Sequence, residues 1–159
     1  MKTNATVSII LISIVLALSS CSTSKILPVD VSNSAKNLSP SGDQAIVYVF
    51  RTSSLGFAVG LDVDFNNKDL AVFYPKKFYL CVLDPGKYLF TGHGENEEEL
   101  IVNVEANKKY YIEAIPQMGF LMARIDLKQH DQIEGNRKVQ KCKLIGMNDK
   151  AKVLLNYKE

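Results

Sequence analysis

The chain has 159 residues, enough for one domain, and a formal net charge of +2 at pH 7. A charge so close to balance gives no reason to expect a clustered basic face, so we expect no nucleic-acid partner. Hydrophobic residues make up 47% of the chain, and part of that share comes from an apolar run near the N-terminus. These bounds fit one small domain that follows a targeting segment.

Residues 1–20 have the pattern of a secretory signal peptide. Lys2 supplies a positive charge, residues 7–18 are mostly apolar, and Ser19 and Ser20 are small. The apolar run is shorter than the roughly 20 residues that a membrane-spanning helix needs. A charged start, an apolar centre and small residues at the end are typical of a signal that is removed during export.

The signal ends in Leu18-Ser19-Ser20-Cys21, which resembles the lipobox of bacterial lipoproteins. The resemblance implies that Cys21 carries diacylglycerol and becomes the acylated first residue of the mature protein. Several acyl chains on one residue anchor a protein firmly in a membrane. Ser22, rather than Asp, follows, which resembles an outer-membrane address. We therefore expect a protein of the bacterial envelope, lipid-anchored at the outer membrane and facing the periplasm. The alternative is an ordinary secretory signal in which Cys21 is incidental.

Residues 21–43 are predicted to be a flexible tether. Ser, Thr, Asn, Lys and Pro dominate this segment, and it has too few apolar residues to bury a core. A tether of this length would let the domain stand off the membrane.

Residues 44–145 are predicted to form an all-β domain. Short β-branched and aromatic runs alternate with turn residues about every ten positions, which favours an antiparallel β-sandwich of seven or eight short strands over a small closed barrel. The first strand is apolar on both faces, which indicates that it is covered on both sides. The predicted strands, in chain order, are residues 44–51, 57–65, 70–73, 77–83, 88–91, 100–104, 109–115 and 120–127.

Turn chemistry marks two of the connections. The Asn66-Asn67-Lys68-Asp69 segment predicts a hairpin turn, because Asn tolerates positive φ. The Asp84-Pro85-Gly86-Lys87 segment predicts a tight reversal with positive φ at Gly86. A short helix is predicted within residues 131–142, and residues 146–159 form a C-terminal tail in which residues 153–155 are a late strand or a frayed end.

The order of several pieces resembles an uncharacterised family of all-β bacterial lipoprotein domains, known only as a domain of unknown function. The resemblance covers about residues 44–142, and it implies the fold and the address but no catalytic residues. The pieces that carry it are Val-Tyr-Val-Phe-Arg at residues 47–51, the Asp-containing hairpin, Pro-Gly-Lys-Tyr at 85–88, and Lys-Lys-Tyr-Tyr-Ile at 108–112.

The other two cysteines leave two alternatives open. Cys81 and Cys142 could pair in an oxidising envelope, or they could be independent thiols, with Cys81 buried in its strand. Spacing in the sequence cannot decide between them, because connectivity depends on the distance between the two Cα atoms.

No motif in the chain indicates catalysis, a metal or a cofactor. His93 lies beside several glutamates, but two histidines far apart do not make a metal site, so a solvated loop is the simpler interpretation. Asp62 and Asp64 lack the spacing of a calcium loop and are expected on the outer face of a strand. We therefore expect no catalytic residues, no metal ligands and no cofactor.

Two functions remain as hypotheses. The first is a non-catalytic interaction or accessory module of the envelope, with the membrane as one partner through the lipid and another envelope protein as the second. The alternative is a surface module that binds a glycan or a small molecule on a face that includes Tyr79 and Tyr111, since tyrosine offers a flat apolar ring with a polar end.

Overall fold

The structure, a computed structural model, describes residues 26–158. The predicted signal peptide, the predicted lipobox and Cys21 lie outside the described residues. The described chain has nine strands and three helices. In chain order these are α1 (Val29–Lys36), β1 (Ala45–Arg51), β2 (Leu61–Phe65), β3 (Lys68–Phe73), β4 (Lys77–Leu83), β5 (Gly86–His93), β6 (Glu97–Val104), β7 (Lys109–Gln117), β8 (Arg124–His130), α2 (Gln132–Val139), β9 (Lys143–Met147) and α3 (Asp149–Leu154).

The strands form two sheets, which confirms the predicted all-β sandwich. The five-stranded sheet has the order β8-β7-β1-β4-β9, and the four-stranded sheet has the order β3-β2-β5-β6. Every pairing in the smaller sheet is antiparallel. In the larger sheet, however, β1 pairs with β7 and β4 pairs with β9 in parallel. Parallel neighbours require crossover connections, and these come from the chain that passes through the second sheet and through α2.

The central strand β1 is covered on both faces, as its sequence predicts. All seven of its residues are buried. Ala45, Val47 and Val49 face the core between the two sheets. Their neighbours Ile46, Tyr48 and Phe50 belong to a second core on the opposite face. This division follows from the period of two in a strand.

The second core is closed by helices, and α1 corrects the prediction of a flexible tether through residue 43. Leu27 and Ala35 are buried in this core. The Tyr48 hydroxyl donates a hydrogen bond to the Ala35 carbonyl over 2.9 Å, and the Leu144 amide donates to the Ser32 hydroxyl over 3.1 Å. The domain therefore includes residues from Leu27 onward. Composition missed this, because the helix buries small and polar residues rather than a long apolar face.

The C-terminal segment is also part of the domain, which corrects the boundary predicted at residue 145. Strand β9 forms one edge of the larger sheet, and α3 packs its buried Ala151 into the second core. Asn148 joins them, because its side chain exchanges two hydrogen bonds with the backbone of Val82 and also caps α3 at the Ala151 amide. The Asn148 side chain thus provides hydrogen-bond partners for backbone groups of both strand β4 and the first turn of α3.

One of the two predicted turns is confirmed. Asn66 and Asn67 both have positive φ in the β2–β3 hairpin. Gly86 does not have positive φ. The connection from β4 to β5 carries the chain from one sheet to the other, so the predicted tight reversal at residues 84–87 is not a hairpin.

The two cysteines are free thiols in separate cores, which resolves the two alternatives against a disulfide. Cys81 lies in the core between the sheets, and Cys142 lies in the core under the helices. A sheet separates them, so the side chains point away from each other. Burial raises the pKa of each thiol to about 12.

Among residues 26–158, no helix is long and apolar enough to cross a membrane.

Candidate functional site

Two loops lie together at one end of the sandwich, and we call this region the loop end. The first loop, residues 52–60, follows β1, and the second, residues 118–123, follows β7. Because β1 and β7 are parallel neighbours, both loops leave the sheet at the same end. They line a shared cleft of about 280 Å³.

A buried arginine holds the first loop. The Arg51 side chain is fully buried at the end of β1. Its guanidinium donates hydrogen bonds of 2.6–3.3 Å to five backbone carbonyls, those of Ser53, Leu55, Gly56, Val59 and Phe73. Burial lowers the pKa of Arg51, yet an arginine keeps its charge in proteins. The carbonyl dipoles therefore solvate the cation, and the loop takes its shape from the planar guanidinium.

A glutamate holds the second loop. One carboxylate oxygen of Glu95, in the β5–β6 turn, accepts the backbone N–H groups of Phe120, Leu121 and Met122 at 2.7, 3.2 and 3.3 Å. These bonds, led by the one from Met122 and joined by the charge of Arg124, hold the pKa of Glu95 below its usual value. The loop can turn around this carboxylate because the residue before Phe120 is Gly119. A Cβ atom at Gly119 would lie 2.2 Å from the Glu95 carboxylate oxygen.

Both loops present large apolar side chains to solvent. Phe57 is 77% exposed, and Phe120 is 91% exposed. Monomeric proteins seldom expose a continuous apolar patch without a function for it. We call the seven side chains of this patch the apolar tips: Leu55, Phe57 and Val59 from the first loop, and Met118, Phe120, Leu121 and Met122 from the second.

The apolar tips correct two predicted strands. Residues 57–60 are predicted to lie in a strand, and so are residues 120–123. The structure has both segments as loops, and Leu121 is 84% exposed. The amides of residues 120–122 bond to Glu95 instead of a neighbouring strand, so the sheet pairing of β8 begins only at Arg124. An alternating apolar pattern cannot reveal this, because the competing acceptor lies 25 residues away.

Sequence reasoning missed the loop end, although two signals for it are present. Arg51 closes a strand that is otherwise entirely apolar, and a charge at a fully buried position needs dedicated partners. Gly119 precedes three consecutive large apolar residues. Neither signal identifies the groups that bind Arg51 or the amides after Gly119, so the surface can be recognised only in the folded structure.

The two tyrosines of the predicted ligand face do not share a face. Tyr111 is buried under α2, where it stacks on Tyr48 with the ring centroids 5.1 Å apart. It lies against Gly135, which explains a glycine within a helix, because a Cβ atom there would be 2.2 Å from the ring. Tyr79 packs at the edge of the core on the other side of the sheet. The possible ligand face with both tyrosines is therefore not formed, and each tyrosine packs against a different core.

A buried charged cluster joins three parts of the chain. The Glu113 carboxylate on β7 lies 2.8 Å from His130 Nε2 and 2.5 Å from Lys138 Nζ, and it accepts a hydrogen bond from the Thr52 hydroxyl. Burial alone would raise the pKa of Glu113, but the bonds from Lys138, Thr52 and His130 lower it below its usual value. The Glu113 side chain is only 3% exposed. The cluster therefore ties α2 and the first loop to the larger sheet.

The polar residues considered in the sequence are on the surface of the smaller sheet. His93 Nε2 lies 3.1 Å from a carboxylate oxygen of Asp64 across the β2–β5 pair, and His93 Nδ1 lies 4.0 Å from Glu97. Asp62, on the same strand as Asp64, is exposed. Within residues 26–158, no group of three His, Cys, Asp or Glu side chains is placed to hold a metal ion.

Comparison with known proteins finds one relative over most of the chain. An uncharacterized protein of Haemophilus influenzae is 26% identical to this chain over 136 residues, which is 84% of this chain and 81% of that protein. No family model matches the chain, and no solved structure matches it. The similarity therefore extends over most of both chains without indicating what either protein binds.

We expect Arg51→Met to destabilise the domain by about 2–4 kcal/mol, because it leaves four loop carbonyls and the Phe73 carbonyl on β3 without their charged donor. Urea unfolding would measure the loss, and limited proteolysis would detect cleavage within residues 52–60. Arg137→Met is the matched control, since the Arg137 side chain is 56% exposed and its ion pair with Glu134 lies on the surface, so it should change stability by less than about 1 kcal/mol. Equal effects of the two substitutions would contradict the role of Arg51.

We expect Glu95→Ala to speed hydrogen exchange at the amides of Phe120, Leu121 and Met122, because their shared acceptor is removed. Glu99→Ala, an exposed glutamate on β6, is the control. In the unmodified protein the same protection should be present at neutral pH and lost as the pH falls through the lowered pKa of Glu95. Protection that is unchanged by the substitution would show that Glu95 does not hold the loop.

We expect Glu113→Gln to destabilise the domain by about 2–4 kcal/mol at pH 7, because it leaves the buried His130 and the half-buried Lys138 without a carboxylate. Since the pKa of Glu113 is lowered by folding, its contribution is present above the ordinary carboxyl pKa and lost as the pH falls through the folded value. The difference from the unmodified protein should therefore shrink in acid. Denaturant unfolding at several pH values would test this, with the exposed Glu105→Gln as control.

Proposed function

We propose that this protein is a lipid-anchored, non-catalytic module of the bacterial envelope, whose loop end contacts another envelope component. The observation that carries the proposal is the set of apolar tips, which are exposed on loops that Arg51 and Glu95 hold in place. Apolar side chains on an ordered frame can bind without first losing loop entropy. Aromatic side chains and methionine are also the types that protein interfaces favour over the rest of the surface.

The anchor is supported by the lipobox resemblance at Leu18-Ser19-Ser20-Cys21, and with it the outer-membrane address facing the periplasm. The non-catalytic role is supported by the absence of a catalytic motif from the sequence and by the burial of the Glu113 cluster. An anchored interaction module needs a firm attachment and one exposed surface. In this protein Cys21 would provide the attachment, and the loop end would provide the surface.

A glycan- or small-molecule-binding role is the second candidate. The feature that favours this role is an open groove of about 710 Å³ between α1 and α2, which is lined mostly by polar side chains. This groove replaces the tyrosine face, since only the buried Tyr111 reaches its lining. The polar residues that line it are Lys36, Asn37, Lys109, Asp131, Gln132 and Asn136.

The test combines lipid labelling with photo-crosslinking in cells. We expect a palmitate analogue to label the protein and Cys21→Ala to abolish the label. A benzophenone amino acid at Phe120 should crosslink reproducibly to one envelope component, whereas the same group at Val153 should not. Val153 is the matched control because it is 77% exposed and lies on α3 near Gln44, at the opposite end of β1.

Two results would contradict the proposal. Absence of the palmitate label would remove the anchor. Equal background crosslinking from Phe120 and Val153 would remove the loop end as the contact surface, and saturable binding in a glycan panel would then favour the second candidate.

A further inference from the structure

The N-terminal segment joins the domain near the loop end. The Leu27 amide donates a hydrogen bond of 3.0 Å to the Leu144 carbonyl on the edge strand β9. Leu144 lies opposite Phe78 on β4, and Phe78 lies opposite Phe50 on β1. Phe50 is the residue before Arg51, where the first loop begins. The chain therefore joins the edge strand β9, one residue pair along the strands from the end that carries the loops, and Leu27 there shares a pocket with Ile145 and Tyr157.

The length of chain before this point limits how far the loop end can be from the membrane. This step rests on the proposed lipid anchor at Cys21. Five residues lie between Cys21 and Leu27, and the six Cα–Cα steps span at most about 20 Å in a fully extended chain. The tether predicted from composition was more than three times as long, because it extended to residue 43. The folded domain would thus lie close to the bilayer.

Four lysines lie at the end of the larger sheet that carries the loops. Lys77 lies opposite both Arg51 and Lys143 in the sheet, and the Lys143 amide donates to the Lys76 carbonyl over 2.9 Å. Lys141 is two residues before Lys143. Within residues 26–158, none of these four ammonium groups forms an ion pair with a carboxylate. Burial and the neighbouring charge of Lys143 lower the pKa of Lys77, so an anionic partner would stabilise the group.

The acidic side chains at the loops are engaged by other groups. Glu113, which accepts a hydrogen bond from Thr52 in the first loop, pairs with His130 and Lys138. Glu95 is the glutamate at the second loop, and its carboxylate is occupied by three backbone amides. Glu97 lies on the smaller sheet beside His93. This end of the larger sheet therefore combines the apolar tips with four lysines that form no ion pair within residues 26–158, and Leu27 joins the edge strand one residue pair away.

We propose that the loop end docks on the lipid bilayer itself, with the apolar tips in the interfacial region and Lys76, Lys77, Lys141 and Lys143 beside anionic headgroups. Apolar side chains and basic residues on one face are the combination by which proteins bind a membrane surface without spanning it. A bilayer is favoured over a protein partner because the proposed anchor and the short segment after it keep Leu27 within about 20 Å of the membrane.

Single-tryptophan fluorescence can test this placement, because the chain contains no tryptophan. Phe120→Trp reports on the apolar tips, and Val153→Trp on the opposite end is the matched control. The full-length chain, produced with its leader and recovered from membranes, is reconstituted in vesicles of phosphatidylcholine and phosphatidylglycerol with or without brominated acyl chains. Palmitate-analogue labelling of the same samples checks the anchor.

We expect the bromines to quench the Phe120→Trp emission by about twofold, with a shift to shorter wavelength, and to leave the Val153→Trp emission unchanged. Labelled, vesicle-bound protein without quenching at position 120 would overturn the docking and leave the proposed function intact. Absence of the label would overturn the anchor and, with it, the tether argument. A single protein crosslink from Phe120 in cells, without quenching in vesicles, would make a protein the occupant.

The lysines have a test of their own in the same vesicles. Changing Lys76, Lys77, Lys141 and Lys143 together to Gln should reduce the quenching at position 120, and added salt should reduce it in the unmodified lysine background. The control changes four exposed lysines elsewhere, Lys68, Lys87, Lys128 and Lys158, to Gln, so both variants have the same net charge. Equal quenching in the two variants would overturn the role of the lysine cluster.

Discussion

The burial of the Arg51 guanidinium at the end of the central strand is the constraint on which the functional surface depends. Unpaired charge in a protein interior is costly, and here five carbonyl oxygens compensate for it. Four of those carbonyls belong to the first loop, so the loop cannot relax without exposing the cation. The fifth, from Phe73, joins the smaller sheet to the same site. A single side chain thus couples both sheets to the position of Phe57 and its apolar neighbours.

Glu95 has the same role with the opposite charge. Its carboxylate accepts hydrogen bonds from three amides of the second loop. Gly119 has no side chain, which leaves space for the carboxylate to lie close to the loop backbone. The two loops are therefore ordered by polar groups behind them, and their apolar side chains are free to face outward. This separation of framework and surface accounts for how a small domain can expose seven large apolar residues and remain folded. In our proposal, it is this surface that meets the envelope component, and the bilayer is the component that the short tether favours.

The elements that sequence reasoning predicted best are those whose signal is local. Strand β1 reads as covered on both faces because every residue from Ala45 to Phe50 is apolar, and the Asn66-Asn67 turn follows from the tolerance of Asn for positive φ. The elements that it missed depend on contacts distant in sequence. Helix α1 folds because Ser32 and Ala35 meet Leu144 and Tyr48, and residues 120–122 leave the sheet because they meet Glu95. Tyr79 and Tyr111 likewise separate only once the sheet places them on opposite sides.

The sequence by itself determined that this is a two-sheet β protein, since strand period, β-branched composition and turn residues are properties of short segments. It also carries the lipobox resemblance, on which the proposed address rests. The tertiary structure alone decided which charges are buried, which cysteines stay apart and which apolar residues remain outside. The physical reason is that burial and polar pairing depend on neighbours in space, and residues such as Arg51 and Phe73, or Glu95 and Met122, become neighbours only when the two sheets pack.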